Sequence, residues 1–305
     1  MKWMRPALNG ISTGLCAAVL LVGVGQSSEA QGRGVLSPED AKRIAEAAAR
    51  PTPRTPSGKP DMSGAWSMPG PNRSERVQGP ALGTVDNPVL KLSSDQEKKQ
   101  DAANLERRKQ NVAGRPEYKP EYQARWQQLF DDAAAQDPGF RCLPRGVPRI
   151  GPPREIVQTE TAVYLLYSGN IGVPNPYRIV LFDAKAWDPD ADPSPMGYPV
   201  GHWDGDTLVV ETSNFDDSTW LSEDATFHSD ALRVIERFTR KGDTLAWDVT
   251  AEDPKMFVKP FTLRTVALLH GRPGDHADVD SACIEHAQSH LGHGTLGYES
   301  QAPPK

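Results

Sequence analysis

Two side chains in the second half of the chain could act as an acid–base pair. Glu236 lies in the strand-like run LRVIERF at 232–238, where alternation puts it on the apolar face and puts Arg237 on the opposite face. An interior carboxyl group stays ionised where an arginine or hydrogen bonds favour its charged form. His228, just before this run, could exchange protons with Glu236, with Arg237 close by. An internal Glu–Arg pair without catalysis, or a position of Glu236 on an outer face, would explain the same pattern.

Three histidines near the C-terminus have the spacing of metal ligands. His286 and His290 are four positions apart, so on a helix both imidazoles would share one face, and His293 follows them. Together they could bind zinc or another divalent ion. Exposed histidines without a metal are the alternative. Apart from such an ion, the sequence predicts no cofactor.

An arginine-rich and proline-rich stretch, RCLPRGVPRIGPPR at 141–154, is a second candidate binding region. Guanidinium groups suit anionic ligands, which makes Arg149 and Arg154 candidate ligand-binding residues. The alternative is that this stretch is an irregular strap around the fold.

The sequence also excludes several common classes. It contains no GxSxG, HExxH or CxxC motif and no glycine-rich nucleotide loop, which argues against serine hydrolases, zincins, thioredoxin-like enzymes and nucleotide-binding enzymes. The formal net charge is −6 and no basic stripe is present, so nucleic acid is not an expected partner.

Short strands must position these residues. Strand-like runs occur at 154–158, 161–167, 177–182, 201–215 as two arms, 232–238, 244–249 and 261–269. They follow one another without intervening helices, which is typical of an antiparallel meander. We therefore expect a mainly β fold, with the meander at 140–305 closing into a lipocalin-like barrel and N-terminal helices packed outside it.

Two acidic turns connect these strands. The sequence GDTL occurs at 205–208 and again at 242–245, each time between two strand-like runs. Glycine provides the positive φ of a tight hairpin loop, and aspartate binds its own nearby backbone. The repetition favours hairpin loops over metal-binding loops.

The N-terminal part is expected to be less regular. Prolines at 51–60 indicate that residues 31–60 are a flexible tether, after a short helix over 38–50 that Ser37 caps. Residues 61–139 are expected to be an irregular and helical extension, with a polar helix over 93–112. A further helix over 120–135 has one apolar stripe that should dock onto the fold.

The first 30 residues have the layout of a secretory signal peptide. A basic start precedes an apolar stretch at 11–25 and a small-residue cleavage site at 28–30. The stretch is shorter than the roughly 20 residues that span a bilayer, so we expect a periplasmic or secreted protein without a stable membrane span, a retained anchor being the alternative. Cleavage leaves Cys142 and Cys283, and two cysteines in an exported protein favour one disulfide bond.

Motifs spread over most of the chain from Asp61 onward resemble a family of exported bacterial proteins. They are YKPEYQ at 118–123, FRCLPRGVPRIGPP at 140–153, GHWDGDTLVVET at 201–212, NFDDSTWL at 214–221, HSDALRVIER at 228–237 and CIEH at 283–286. Relatives usually have arginine where this chain has His202. The family has no assigned activity, so the resemblance implies no catalytic residues. GAW at 64–66 is similar to the GxW start of lipocalins, which implies a barrel with an internal cavity.

Two functions follow from these features. The first is an exported protein that binds a small, mostly apolar molecule in the barrel. Its candidate cavity walls are Tyr164, Trp203, Trp220 and Trp247, although strand aromatics can also be plain core. The second is a hydrolase, lyase or isomerase that uses His228 and Glu236 on a small lipophilic substrate. A structural envelope protein is a third alternative.

Overall fold

The described residues form a closed β-barrel with two short α-helices packed against it. This architecture comes from a computed structural model, which describes residues 37–69, 115–131, 136–141, 143–167, 177–183, 190–222, 224–263, 265–271 and 275. The predicted fold class, a mainly β protein with a lipocalin-like barrel, is confirmed. The predicted signal peptide at 1–30 and polar helix at 93–112 lie outside the described residues.

Ten strands and two α-helices make up the described fold. The strands are β1 Gly64–Ser67, β2 Glu155–Gln158, β3 Ala162–Leu166, β4 Tyr177–Leu181, β5 Tyr198–Asp204, β6 Thr207–Ser213, β7 Arg233–Lys241, β8 Thr244–Glu252, β9 Phe261–Thr262 and β10 Val266–His270. The helices are α1 Pro38–Ala48, α2 Pro120–Asp131 and a 3-10 turn, Pro138–Arg141.

The barrel closes because β10 pairs with two strands at once. Consecutive strands from β1 to β9 are neighbours, and β10 pairs with both β8 and β1, which completes a ring of nine strands. The short β9 pairs with the other end of β8. One pairing, β4 with β5, is parallel, whereas the sequence predicted antiparallel neighbours throughout. The connection over residues 182–197 is long enough to return the chain to the same end of the sheet.

Alternation along β7 and β8 defines the interior. On β7, Val234, Glu236, Phe238 and Arg240 are buried and the residues between them are more exposed. On β8 the buried set includes Trp247 and its apolar neighbours at two-residue spacing. The predicted inward face of Glu236 is therefore confirmed.

Both acidic turns are two-residue hairpin loops, as predicted. Asp204 pairs with Thr207 across the β5–β6 turn, and Gly205 has φ 59°. Gly242 has φ 55° in the β7–β8 turn. Positive φ suits glycine because it has no Cβ.

Residues 37–60 are docked on the barrel, whereas the sequence predicted a flexible tether. The helix α1 contacts β8 and β10, and the Asp243 amide donates to the Ala47 carbonyl at 3.0 Å. The Gly242 amide donates to the Thr52 hydroxyl at 2.8 Å, and Arg54 forms an ion pair with Asp206 at 2.6 Å. These partners are about 150 to 190 positions away in the sequence, so local composition could not reveal them.

Of the predicted N-terminal extension, one strand belongs to the barrel and one helix packs against it. The strand β1 is part of the barrel wall, which therefore does not begin at residue 140. The apolar stripe of α2 is confirmed, because Phe130 is buried and Tyr122, Trp126 and Leu129 pack against the core. Trp126 Nε1 also donates to the Asp224 carbonyl at 3.1 Å, which fixes α2 beside the β6–β7 connection.

Candidate functional site

A polar cluster lies in the interior of the barrel. It consists of Arg178 on β4, Glu236 on β7, Thr212 on β6, Trp247 on β8 and Tyr167 just after β3, and we name it the Arg178 cluster. On β4, β6, β7 and β8, the four strand members share the inward face with buried apolar residues at two-residue spacing. The cluster therefore connects the end of β3 with β4, β6, β7 and β8 through the interior of the barrel.

Hydrogen bonds connect all five members of the Arg178 cluster. Arg178 Nη1 donates to Glu236 Oε2 at 2.6 Å and to the Tyr167 hydroxyl at 3.1 Å. Arg178 Nη2 donates to Thr212 Oγ1 at 2.6 Å. Trp247 Nε1 donates to the other carboxylate oxygen of Glu236 at 3.0 Å. The carboxylate thus has a partner on each oxygen.

Burial and charge set the protonation of this cluster. Burial disfavours the charged guanidinium, but Glu236 and Tyr167 more than offset this effect, so the pKa of Arg178 is raised above its ordinary value. Burial also raises the pKa of Tyr167 to about 12. Near neutral pH, Arg178 is therefore a cation and Tyr167 an uncharged phenol.

The cluster has hydrogen-bond donors that its own members do not use. Arg178 Nε is buried and has no acceptor within reach among the described residues. The Tyr167 hydroxyl accepts from Arg178 and donates to no acceptor in the part of the chain that the structure describes. A buried donor left without an acceptor costs about 1–3 kcal/mol. Such donors in a native fold require an explanation.

The hydrogen bonds of His228 do not involve Glu236, contrary to the predicted acid–base pair. Its Nδ1 donates to the Ser229 carbonyl at 3.0 Å, so its Nε2 accepts from the Thr219 hydroxyl at 2.8 Å. Burial lowers the pKa of His228, which keeps the ring neutral. No hydrogen bond joins His228 to Glu236 among the described residues. The histidine instead fixes the connection between β6 and β7.

Arg237 is on the outer surface and takes no part in the cluster. Its Nη2 donates to Asp204 at 2.6 Å, and about 44% of its side chain is exposed. The arginine that pairs with Glu236 is Arg178, from a strand 58 positions earlier. The alternative of an internal Glu–Arg pair therefore describes Glu236 correctly, with a different arginine.

The four aromatic residues predicted to line one cavity lie in different places. Trp247 belongs to the Arg178 cluster, and Trp220 is buried in the β6–β7 connection, where it pairs with Phe227. Trp203 is partly buried near the β5–β6 turn, with Lys59 Nζ 5.7 Å from its ring centroid. Tyr164 is 37% exposed and points outward from β3, whose inward residues are Val163 and Leu165. These residues do not form one wall.

Arg149, predicted to bind an anionic ligand, binds an internal carboxylate. Its two terminal nitrogens donate to the two oxygens of Asp137 at 2.6 and 2.5 Å, and both side chains are buried. The backbone of Arg154 connects β1 to the last residue of β3, through Trp66 and Leu166. The alternative of a structural strap agrees with both positions.

The remaining predicted sites lie outside the described residues. These are the disulfide between Cys142 and Cys283 and the metal ligands His286, His290 and His293. Within the described ranges, no group of three metal-ligating side chains occurs. No helix among those residues is long and apolar enough to cross a membrane.

Comparisons with protein-family models, with curated proteins and with solved structures found no match to this chain. The barrel and the chemistry of its interior are therefore the features that indicate a function.

Sequence reasoning missed three members of the Arg178 cluster. Arg178 lies in YRIVLF at 177–182, where it alternates with two apolar residues as Glu236 does in its own strand. Alternation would not have placed Arg178 inside, because the opposite face of this run, with Tyr177, Ile179 and Leu181, is entirely apolar. Tyr167 and Thr212 carry no signal either, because tyrosine and threonine are common on either face of a strand.

Proposed function

We propose that this protein is an exported binding protein, whose barrel takes up a small and mostly apolar molecule at the Arg178 cluster. The N-terminal sequence supports export, since it has the layout of a signal peptide. The motif set supports placing the chain with exported bacterial proteins of unassigned activity. The closed barrel supports an interior ligand, because barrels of about eight strands can hold one small molecule.

The observation that carries this proposal is the buried Arg178–Glu236 pair, whose guanidinium keeps one donor without an acceptor among the described residues. A buried ion pair is often no more stabilising than apolar side chains of similar volume. Arg178 and Glu236 are nevertheless embedded among apolar residues such as Val180 and Phe238, and Arg178 Nε has no acceptor among the described residues. A ligand oxygen at this nitrogen would make the missing hydrogen bond.

Entry to the cluster requires a local movement of the barrel. Arg178 and Glu236 are at most 3% exposed, so side chains shield them on all described sides. Tyr167 and Arg178 lie at the end of the barrel where β3 ends and β4 begins.

Extraction of the native protein tests the proposal. Protein purified from its own host is extracted with organic solvent, and the extract is examined by mass spectrometry. Saturable binding of the uncharged dye Nile red is measured in parallel. We expect one small lipophilic species at close to one equivalent and saturable dye binding, both reduced in Arg178→Met. Arg237→Gln, which changes the outer face of β7, is the matched control. An empty extract together with non-saturable dye binding would rule the proposal out.

A further inference from the structure

We infer that the polar group of the ligand is an uncharged hydrogen-bond acceptor, such as a ketone, ester or amide carbonyl, and is not a carboxylate. This inference rests on the proposed function and specifies the ligand class. It follows from the charges of the Arg178 cluster and from the hydrogen-bond capacity that the cluster leaves unused.

The charges of the cluster are already balanced. Arg178 is a cation, Glu236 lies 2.6 Å away, and the other members are uncharged. The side chains of Arg178 and Glu236 are 2% and 0% exposed, so solvent does not screen an added charge. A ligand carboxylate would place a second anion beside Glu236 without a second cation. Burial of an unpaired charge is strongly unfavourable.

The hydrogen-bonding groups of the cluster that have no partner at all are donors. Arg178 Nε and the Tyr167 hydroxyl hydrogen lack acceptors among the described residues. Both oxygens of Glu236 already accept hydrogen bonds, from Arg178 and Trp247. A ligand ammonium group has only donors and would also lie beside the Arg178 cation. A neutral carbonyl oxygen adds no charge to the cluster, and its two lone pairs can accept hydrogen bonds from the donors that have no partner.

A matched ligand series tests this inference on the wild-type protein. The series is 2-acetylnaphthalene, 2-naphthoate, 2-naphthylmethylammonium and 2-ethylnaphthalene, which share one apolar body and differ in the polar group. Their affinities are measured at pH 7.5 by displacement of Nile red. We expect the ketone to bind about tenfold more tightly than the hydrocarbon, the effect of one hydrogen bond in a buried site. The carboxylate and the ammonium compound should bind more weakly than the ketone.

The variant Glu236→Gln makes the test sharper. It removes the anion and leaves the Arg178 charge uncompensated, so the preference should reverse from the ketone to the carboxylate. Arg178→Met should abolish the difference between ketone and hydrocarbon. Folding of each variant is checked by circular dichroism, and if a variant does not fold, the wild-type series decides alone.

The outcomes separate this inference from the proposed function. Tighter binding of the carboxylate by the wild type, or equal binding of ketone and hydrocarbon, overturns the inference and leaves the binding function in place. If no member of the series binds, the polar group of the co-extracted species decides, with a carboxylic acid counting against the inference. Absence of both binding and an extracted species overturns the inference together with the proposed function.

Discussion

Arg178 and Glu236 form an ion pair between two strands that are not neighbours in the sheet. Arg178 is on β4 and Glu236 is on β7, with β5 and β6 between them in the barrel wall, yet Nη1 and Oε2 are 2.6 Å apart. The pair therefore crosses the interior and holds two parts of the wall together. Loss of one partner leaves a buried charge without compensation.

Glu236→Gln should lower the free energy of unfolding by about 3–5 kcal/mol, because it leaves the buried Arg178 cation without its anionic partner. Urea denaturation at pH 7, followed by tryptophan fluorescence, measures the change. Arg237→Gln is the control on the same strand, and we expect little change because its ion pair is solvent-exposed. The double variant R178M/E236L should regain much of the lost stability. Equal effects of Glu236→Gln and Arg237→Gln would contradict the buried pair.

Stability should decrease in mild acid because of His228. Burial lowers the pKa of this ring below its ordinary value of 6.5, so the unfolded chain takes up a proton that the folded chain does not. The free energy of unfolding should therefore fall as pH drops below about 6.5, by at most about 1.4 kcal/mol per pH unit for one proton. The stabilising contribution is fully present above that pH.

His228→Gln should flatten this dependence. Urea denaturation at several pH values between 7.5 and 5 gives the slope for the wild type and the variant. His202→Gln, on the exposed outer face of β5, is the matched histidine-to-glutamine control. An unchanged slope in His228→Gln would show that other groups cause the acid sensitivity.

The two hairpin glycines should respond differently to alanine. Gly205 and Gly242 have nearly the same positive φ, but a Cβ at Gly205 meets nothing within 4 Å. A Cβ at Gly242 would be only 2.7 Å from the Arg50 carbonyl oxygen and would also overlap with the Ala47 carbonyl oxygen. Gly205→Ala should cost about 1 kcal/mol from backbone strain alone.

Gly242→Ala should cost more than Gly205→Ala and should also detach α1. Hydrogen exchange measures the second effect, since the amides of residues 41–49 should exchange faster in Gly242→Ala only. Equal stability losses, with equal protection of α1, would mean that residues 37–60 are not docked in solution.

Arg149 should matter for stability and not for ligand binding. Asp137→Ala and Arg149→Met should each destabilise the fold by about 3–5 kcal/mol, and their effects should be strongly non-additive because the two residues form one buried pair. Arg154→Gln is the control in the same stretch. Thermal denaturation and Nile red affinity are compared across these variants. A loss of dye affinity in Arg149→Met without a loss of stability would restore its predicted role as a ligand-binding residue.

Local patterns in the sequence were sufficient for the hairpins and for the direction of Glu236. Gly205 and Gly242 define their turns by a requirement for positive φ, and alternation in β7 puts Glu236 inside. The direction of Tyr164 was not predictable in this way. Both faces of β3 are apolar, with Val163 and Leu165 on one and Tyr164 and Leu166 on the other, so alternation gave no preference.

Pairings between distant residues could not be derived from local patterns. Alternation indicates that Glu236 points inward, but it indicates neither the direction of Arg178 nor that the two side chains meet across two intervening strands. The contacts of residues 37–60 with the hairpin turns are equally non-local. The parallel pairing of β4 with β5 depends on the path of the connection between them, which local propensity does not determine.

The seam between β1 and β10 has a consequence for how the protein is made. It joins Trp66 to His270 and Ser67 to Leu269, residues roughly 200 positions apart, so the ring cannot close until the chain has been synthesised past residue 270. Until then, β1 and β8 each have an unpaired edge whose backbone groups can pair with strands of other chains, which promotes aggregation. Nascent chains that stop before residue 266 should therefore be insoluble unless a chaperone shields them.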